Sequence, residues 1–219
     1  MSKAITLLLA LAGALSSVPM EVHAQNAAAG QQNAAQCVGC HGIPGYQSSF
    51  PEIYRVPKVA GQNAAYIVAA LTAYKKGERK HPTMVAIGKA LTDQEMADLG
   101  AFYENLGASL VKPVSDRAPA APPAAVAESL TKGACASCHG ANYNKPLVPA
   151  YPKLAGQHAD YLFAALRSYG VEGNPHVGRA NAVMSGQVKP YKRAELKAMA
   201  DYLSTLPGDL RVVNNPKFK

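Results

Sequence analysis

All four cysteines of the 219-residue chain sit in two copies of one phrase, CVGCHG from Cys37 to Gly42 and CASCHG from Cys135 to Gly140. Each copy has the form Cys-x-x-Cys-His, the attachment signature of a c-type haem. Two thiols one short turn apart form thioether bonds to the porphyrin vinyl groups, and the histidine that follows directs its imidazole at the iron. A redox dithiol belongs in a βαβ setting that this Ala-rich sequence does not suggest, and neither a dithiol nor a disulfide calls for a histidine after both pairs. Zinc fits no better, because 94 residues separate Cys40 from Cys135, far beyond ribbon or finger spacing. The expectation is two covalently bound haem c groups, held by Cys37 and Cys40 and by Cys135 and Cys138, with His41 and His139 as proximal ligands. Covalent attachment lets a small domain hold a large apolar cofactor that replaces much of its core.

The repetition extends well past the cysteines. PKVAGQNAAYIVAALTAY from Pro57 to Tyr74 answers PKLAGQHADYLFAALRSY from Pro152 to Tyr169 at a constant offset of 95, and Met96 to Leu106 answers Leu196 to Leu206 at an offset of 100. This is an internal duplication. It predicts an all-α protein of two tandem cytochrome c-like domains over residues 25–112 and 128–219, joined by a Pro-rich linker over 113–127. Tyr66, Ala69, Ala70, Ala73 and Tyr74 fall on one helical stripe, repeated by Tyr161, Ala164, Ala165, Ser168 and Tyr169. A second helix starts near Thr92, where Glu95 completes capping-box spacing, and runs to about Leu106. Its counterpart has Lys192 and Arg193 at the start and should begin less firmly. Segments from Ala27 to Gln36 and from Ala125 to Ala134 predict a third helix in each repeat. No run alternates with period two, so little or no sheet is expected.

At the N-terminus, Lys3, the apolar run from Ala4 to Leu15 and the VHA at Val22 to Ala24 read as a signal peptide over residues 1–24, cleaved after Ala24. The run is shorter than the roughly 20 residues that a spanning helix needs. The expected location is the periplasm, with the protein soluble or peripherally membrane-associated.

The sixth iron position decides what a haem can do, and in c-type domains Met or His fills it. The duplication sorts the candidates. Met84 and Met184 correspond at the offset of 100, each in a loop before the last helix of its repeat, whereas Met96 answers Leu196 and Met199 answers Leu99. Positions that take Met or Leu equally are packing positions. His158 answers Asn63, His81 answers Asn181, and His176 lies in an insertion, so none is kept through the repeat. His81 stands close enough to Met84 to compete for iron if the loop loosened. The reading is His/Met ligation at both irons, by His41 with Met84 and His139 with Met184. Pro57 and Pro152 open the repeated PK-x-AGQ blocks, and the expectation is that a proline carbonyl there accepts the other ring N–H of each histidine and fixes the ring behind the metal.

Two CxxCH sites, a signal peptide, the twice-written PK-x-AGQ block and a Met ahead of each last helix together resemble the cytochrome c4 family, over nearly all of the chain from about Asn33 to Leu206. The resemblance implies two class I cytochrome c domains about an approximate two-fold axis, with haem propionate edges facing across the domain interface. It implies an electron-transfer protein with no catalytic residues, serving a bacterial respiratory chain between a donor complex and a terminal oxidase. The family's attachment residues fall on Cys37, Cys40, Cys135 and Cys138, and its iron ligands on His41, Met84, His139 and Met184. Ile43 to Val56 has no detailed counterpart after the second CxxCH, and the approach to Met184 is longer, so the two haems need not share one potential.

With every axial site filled by protein, transfer is outer-sphere and no small-molecule substrate binds. An alternative is a haem electron-transfer subunit of a periplasmic dehydrogenase, for example in sulfur-compound oxidation, or an enzyme with one open haem. The net charge is +8, unevenly spread: residues 25–112 hold eight Lys and Arg against six Asp and Glu, and residues 128–219 hold twelve against six. A basic C-terminal half steers towards an acidic partner surface or an anionic membrane surface. Nucleic acid is not expected, since the chain has no binding motif for it.

Overall fold

The computed structural model describes residues 24–110 and 120–214. The signal peptide, Ala24 apart, and the first part of the linker, 113–119, lie outside the described residues. The first repeat runs α1 (Ala27–Asn33), α2 (Ala35–His41), β1 (Gln47–Ser48), β2 (Tyr54–Arg55), α3 (Ala64–Lys76), β3 (Arg79–Lys80), α4 (Pro82–Ala90) and α5 (Asp93–Ala108). The second runs α6 (Ala124–Lys132), α7 (Cys135–His139), α8 (Ala159–Ser168), β4 (Gly178–Arg179), α9 (Ala182–Val188) and α10 (Arg193–Thr205). The fold is mostly helical, and its strands are two residues long. Helix α6 starts at Ala124, so the helix expected from Ala125 takes in the last residues of the Pro-rich stretch.

Two separate apolar cores mark two domains. Leu71, Leu91, Met96, Leu99 and Tyr103 centre the first, and Leu130, Leu162, Leu196, Met199 and Leu203 the second. Met96 and Met199 are therefore packing residues, as their exchange with Leu in the repeat anticipates. Asn26 opens α1 by accepting the N–H groups of Ala28 and Ala29 at 3.0 and 3.2 Å. Helix α1 then crosses α5 in close contact: a Cβ on Gly30 would lie 2.0 Å from the Asp98 carbonyl oxygen and 2.8 Å from Phe102 Cβ. Only glycine allows that crossing. Helix α5 starts with a full capping box, in which Thr92 Oγ1 accepts Glu95 N–H at 3.2 Å and Glu95 Oε2 accepts Thr92 N–H at 2.8 Å. At α10 only the return half is made by an oxygen, Glu195 Oε2 accepting Lys192 N–H at 2.7 Å.

The PK-x-AGQ blocks join the domains. Gln62 Nε2 donates to the Lys153 carbonyl at 3.1 Å while its Oε1 accepts Lys153 N–H at 2.9 Å. Gln157 treats Lys58 the same way, at 2.9 and 3.0 Å. The motif is written twice because each copy docks on the other about a local two-fold axis. Strands β3 and β4 pair antiparallel across the same seam, with Arg79 opposite Arg179. Ion pairs from Arg55 to Asp160 at 2.9 Å and from Arg167 to Glu52 at 2.6 Å close its rim. Partly exposed pairs of this kind contribute at most about 1 kcal/mol each, so the buried Gln62, Gln157 and Arg79 define the seam. The C-terminal segment returns to the first domain, where Arg211 N–H donates to the Ala60 carbonyl at 2.9 Å and Val213 packs on the core.

Candidate haem sites

Each Cys-x-x-Cys-His phrase is helical, on α2 and α7, and all four thiols are free and half-exposed. Helix α7 is entered through Ala134 in the left-handed region at φ 45 and left through Gly140 at φ 83, where a Cβ would meet the Lys145 carbonyl oxygen at 2.0 Å. That glycine turns the chain sharply at the histidine. His41 Nδ1–H donates to the Pro57 carbonyl at 2.8 Å, and His139 Nδ1–H to the Pro152 carbonyl at 3.0 Å. A carbonyl can only accept, so this bond selects the tautomer with a free lone pair on Nε2. Burial lowers the pKa of both imidazoles below the ordinary 6.5, against the opposing pull of the carbonyls. Both rings are thus neutral at pH 7, the form that binds a metal.

Met84 and Met184 lie in the first turns of α4 and α9, not in loops. Met84 packs on the first core together with Cys37, and Met184 on the second together with Cys135. His81 and Asn181 are the N-caps of these helices: His81 Nδ1 accepts Met84 N–H at 3.4 Å and Asn181 Oδ1 accepts Met184 N–H at 2.9 Å. The exchange of His for Asn between repeats is explained by this shared role, which also occupies the His81 nitrogen nearest Met84. His158 is likewise an N-cap position, of α8, and His176 N–H donates to Asn174 Oδ1 at 2.8 Å in the insertion.

Two cations missed by the sequence reading face one another in the β3–β4 pairing. Arg79 is 9% exposed; its Nη2–H donates to Tyr161 Oη at 2.8 Å and its Nη1–H to Tyr66 Oη at 3.3 Å. Arg179 donates to the same Tyr161 oxygen at 3.2 Å. None of the ion pairs among the described residues engages either arginine, and Arg79 Nε is buried without a hydrogen-bond partner. Burial alone raises the Tyr161 pKa, but the two guanidinium groups overcome it and bring the phenol down to about 7. Buried positive charge of this kind requires an anion.

A family model described as cytochrome c matches residues 27–107 and again 124–207. Cytochrome c4 of Thiocapsa roseopersicina is 31% identical over 185 residues, covering 78% of this chain and 86% of that protein. The chain belongs to the cytochrome c4 family. The crystal structure of reduced recombinant cytochrome c4 from Pseudomonas stutzeri superposes with a TM-score of 0.62 at 28% identity, over 84% of this chain and 100% of that one. Thiosulfate dehydrogenase (TsdBA) from Marichromatium purpuratum gives a TM-score of 0.60 at 27% identity, over 82% of this chain and 40% of that one. As a member of that family the chain is a dihaem electron carrier, not an enzyme, with one haem c in each domain. The residues fit that group: paired free thiols, a neutral imidazole with an open Nε2, and the buried Arg79 beside the half-buried Arg179, with no carboxylate paired to either among the described residues.

Proposed function

We propose that the two haems attach at Cys37 and Cys40 and at Cys135 and Cys138, with iron held by His41 and Met84 in the first domain and by His139 and Met184 in the second. The observation that carries this reading is the matched pair of imidazole bonds to Pro57 and Pro152, which leaves Nε2 open in both domains. The capped methionines support it, since each is fixed at the same position of a short helix on the core that its cysteines also touch. When bound, each haem c supplies a one-electron ferric–ferrous couple, and Met ligation places it at higher potential than a second His. The chain's own work is to fix both axial side chains, keep water from the metal, and offer Arg79 and Arg179 to the propionates.

In the cell, we assign the protein to the periplasm as a carrier of a bacterial respiratory chain, delivering electrons towards a terminal oxidase. The N-terminal signal pattern and the family resemblance support this, and no helix among the described residues is long and apolar enough to cross a membrane. The likeness to TsdBA favours a second reading, in which the electron donor is a periplasmic dehydrogenase. Carbon monoxide added to the reduced holoprotein tests the ligation. Two six-coordinate irons leave the spectrum unchanged, while a ligand-bound species at either haem contradicts it.

A further inference from the structure

The peptide units that hold the two imidazoles are also those through which the domains hold each other. The Pro57 carbonyl accepts His41 Nδ1–H at 2.8 Å, and the N–H at the other end of that same peptide unit, on Lys58, donates to Gln157 Oε1 at 3.0 Å. The Pro152 carbonyl accepts His139 Nδ1–H at 3.0 Å, and Lys153 N–H donates to Gln62 Oε1 at 2.9 Å. Gln62 and Gln157 are 4% and 5% exposed. Each Oε1 also takes the N–H of its own following residue, Asn63 or His158, at 3.0 Å, and each Nε2 is bonded to the opposing lysine carbonyl. The glutamines have no freedom to turn away.

A peptide unit is conjugated from N–H to C=O. An acceptor on its N–H pushes electron density onto its carbonyl oxygen, and chains of such bonds strengthen one another by about 10–30% per bond. A stronger carbonyl acceptor draws the Nδ1 proton further, makes the ring a more basic ligand, and favours ferric over ferrous iron. We propose that Gln157 is a positioning residue for His41 and Gln62 for His139, so that each domain sets the potential of the other domain's haem through one peptide unit. The inference rests on the ligation by His41 and His139 proposed above. It makes domain docking part of the redox chemistry, because a domain that loses its partner loses the tuning bond with it.

The test is a redox titration of full-length holoprotein, with the two haems told apart by the NMR resonances of their methyl groups. Gln157→Leu raises the potential of the N-terminal haem, changing its reduction equilibrium by about two- to tenfold, the range of one net hydrogen bond, and leaves the C-terminal haem in place. Gln62→Leu does the converse. In the reduced Gln157→Leu protein the His41 ring N–H resonance moves upfield as its acceptor weakens. Gln157→Glu puts a stronger acceptor on Lys58 N–H, at the cost of the bond that Nε2 donates to the Lys58 carbonyl, and shifts the N-terminal haem the opposite way and further than the C-terminal one; it decides the matter if Gln157→Leu undocks the domains. A shift at the haem of the mutated glutamine's own domain, equal shifts at both, or no shift at either overturns the proposal. An absence of low-spin histidine-ligated iron in the unaltered protein overturns the ligation reading instead.

Discussion

His81 and Met84 are joined side chain to backbone: the ring Nδ1 of His81 accepts Met84 N–H at 3.4 Å, where Asn181 accepts Met184 N–H at 2.9 Å. The longer bond is the weaker cap. His81→Asn should therefore tighten α4 and raise the unfolding temperature of the N-terminal domain, whereas Asn181→Ala should cost the C-terminal domain about 1 kcal/mol. Calorimetry of the ferric holoprotein measures both. If His81→Asn lowers stability, the ring has a role beyond capping.

Arg79 and Arg179 share one phenol and have no carboxylate among the described residues. A buried positive charge favours the ferrous state of a nearby haem. Arg79→Met should lower both midpoint potentials, by about 1–2 kcal/mol or roughly tenfold in each reduction equilibrium. Because the charge is buried, the shift should persist at high salt. Spectroelectrochemistry at two ionic strengths checks this, and unchanged potentials would place the propionates elsewhere.

His158 gives the docked domains a defined acid sensitivity. Burial, with Lys58 and Arg55 nearby and against the pull of Asp160, lowers its pKa from 6.5 to about 4. The unfolded chain thus binds the proton first on acidification. Stability from this group is complete above about pH 6.5 and is lost as the pH falls towards about 4. His158→Asn, which restores the residue found at position 63, should flatten the decline in urea midpoint across that window. Parallel pH profiles for the two holoproteins would count against the assignment.

How much of this was visible in the sequence depends on whether the chemistry is local. The two haem phrases were legible because covalent attachment demands particular residue types at fixed spacing, and the duplication set Met84 and Met184 apart from Met96 and Met199, which the structure buries in the two cores. The helices α3, α5, α8 and α10 carried readable stripes or caps. Helices α4 and α9 did not, being short and of mixed polarity, although Pro82 at the first position and Asn181 at the cap are helix-start signals. The role of Gln62 and Gln157 was hidden for a different reason. Their backbone partners lie 91 to 99 residues away, and a repeated block reads the same whether it packs on itself or on its other copy. Arg79 and Arg179 carry no signal in the sequence; the β3–β4 pairing sets them opposite one another and leaves Arg79 buried and Arg179 half-buried.

The account stands most directly on the two iron–methionine bonds. The near-infrared band of ferric iron bound to methionine sulfur should be recorded for the holoprotein and for Met84→Ala and Met184→Ala. Symmetric His/Met ligation predicts two-haem intensity in the unaltered protein and the loss of about half in each variant. A band of one-haem intensity, or one that survives either substitution undiminished, would contradict it.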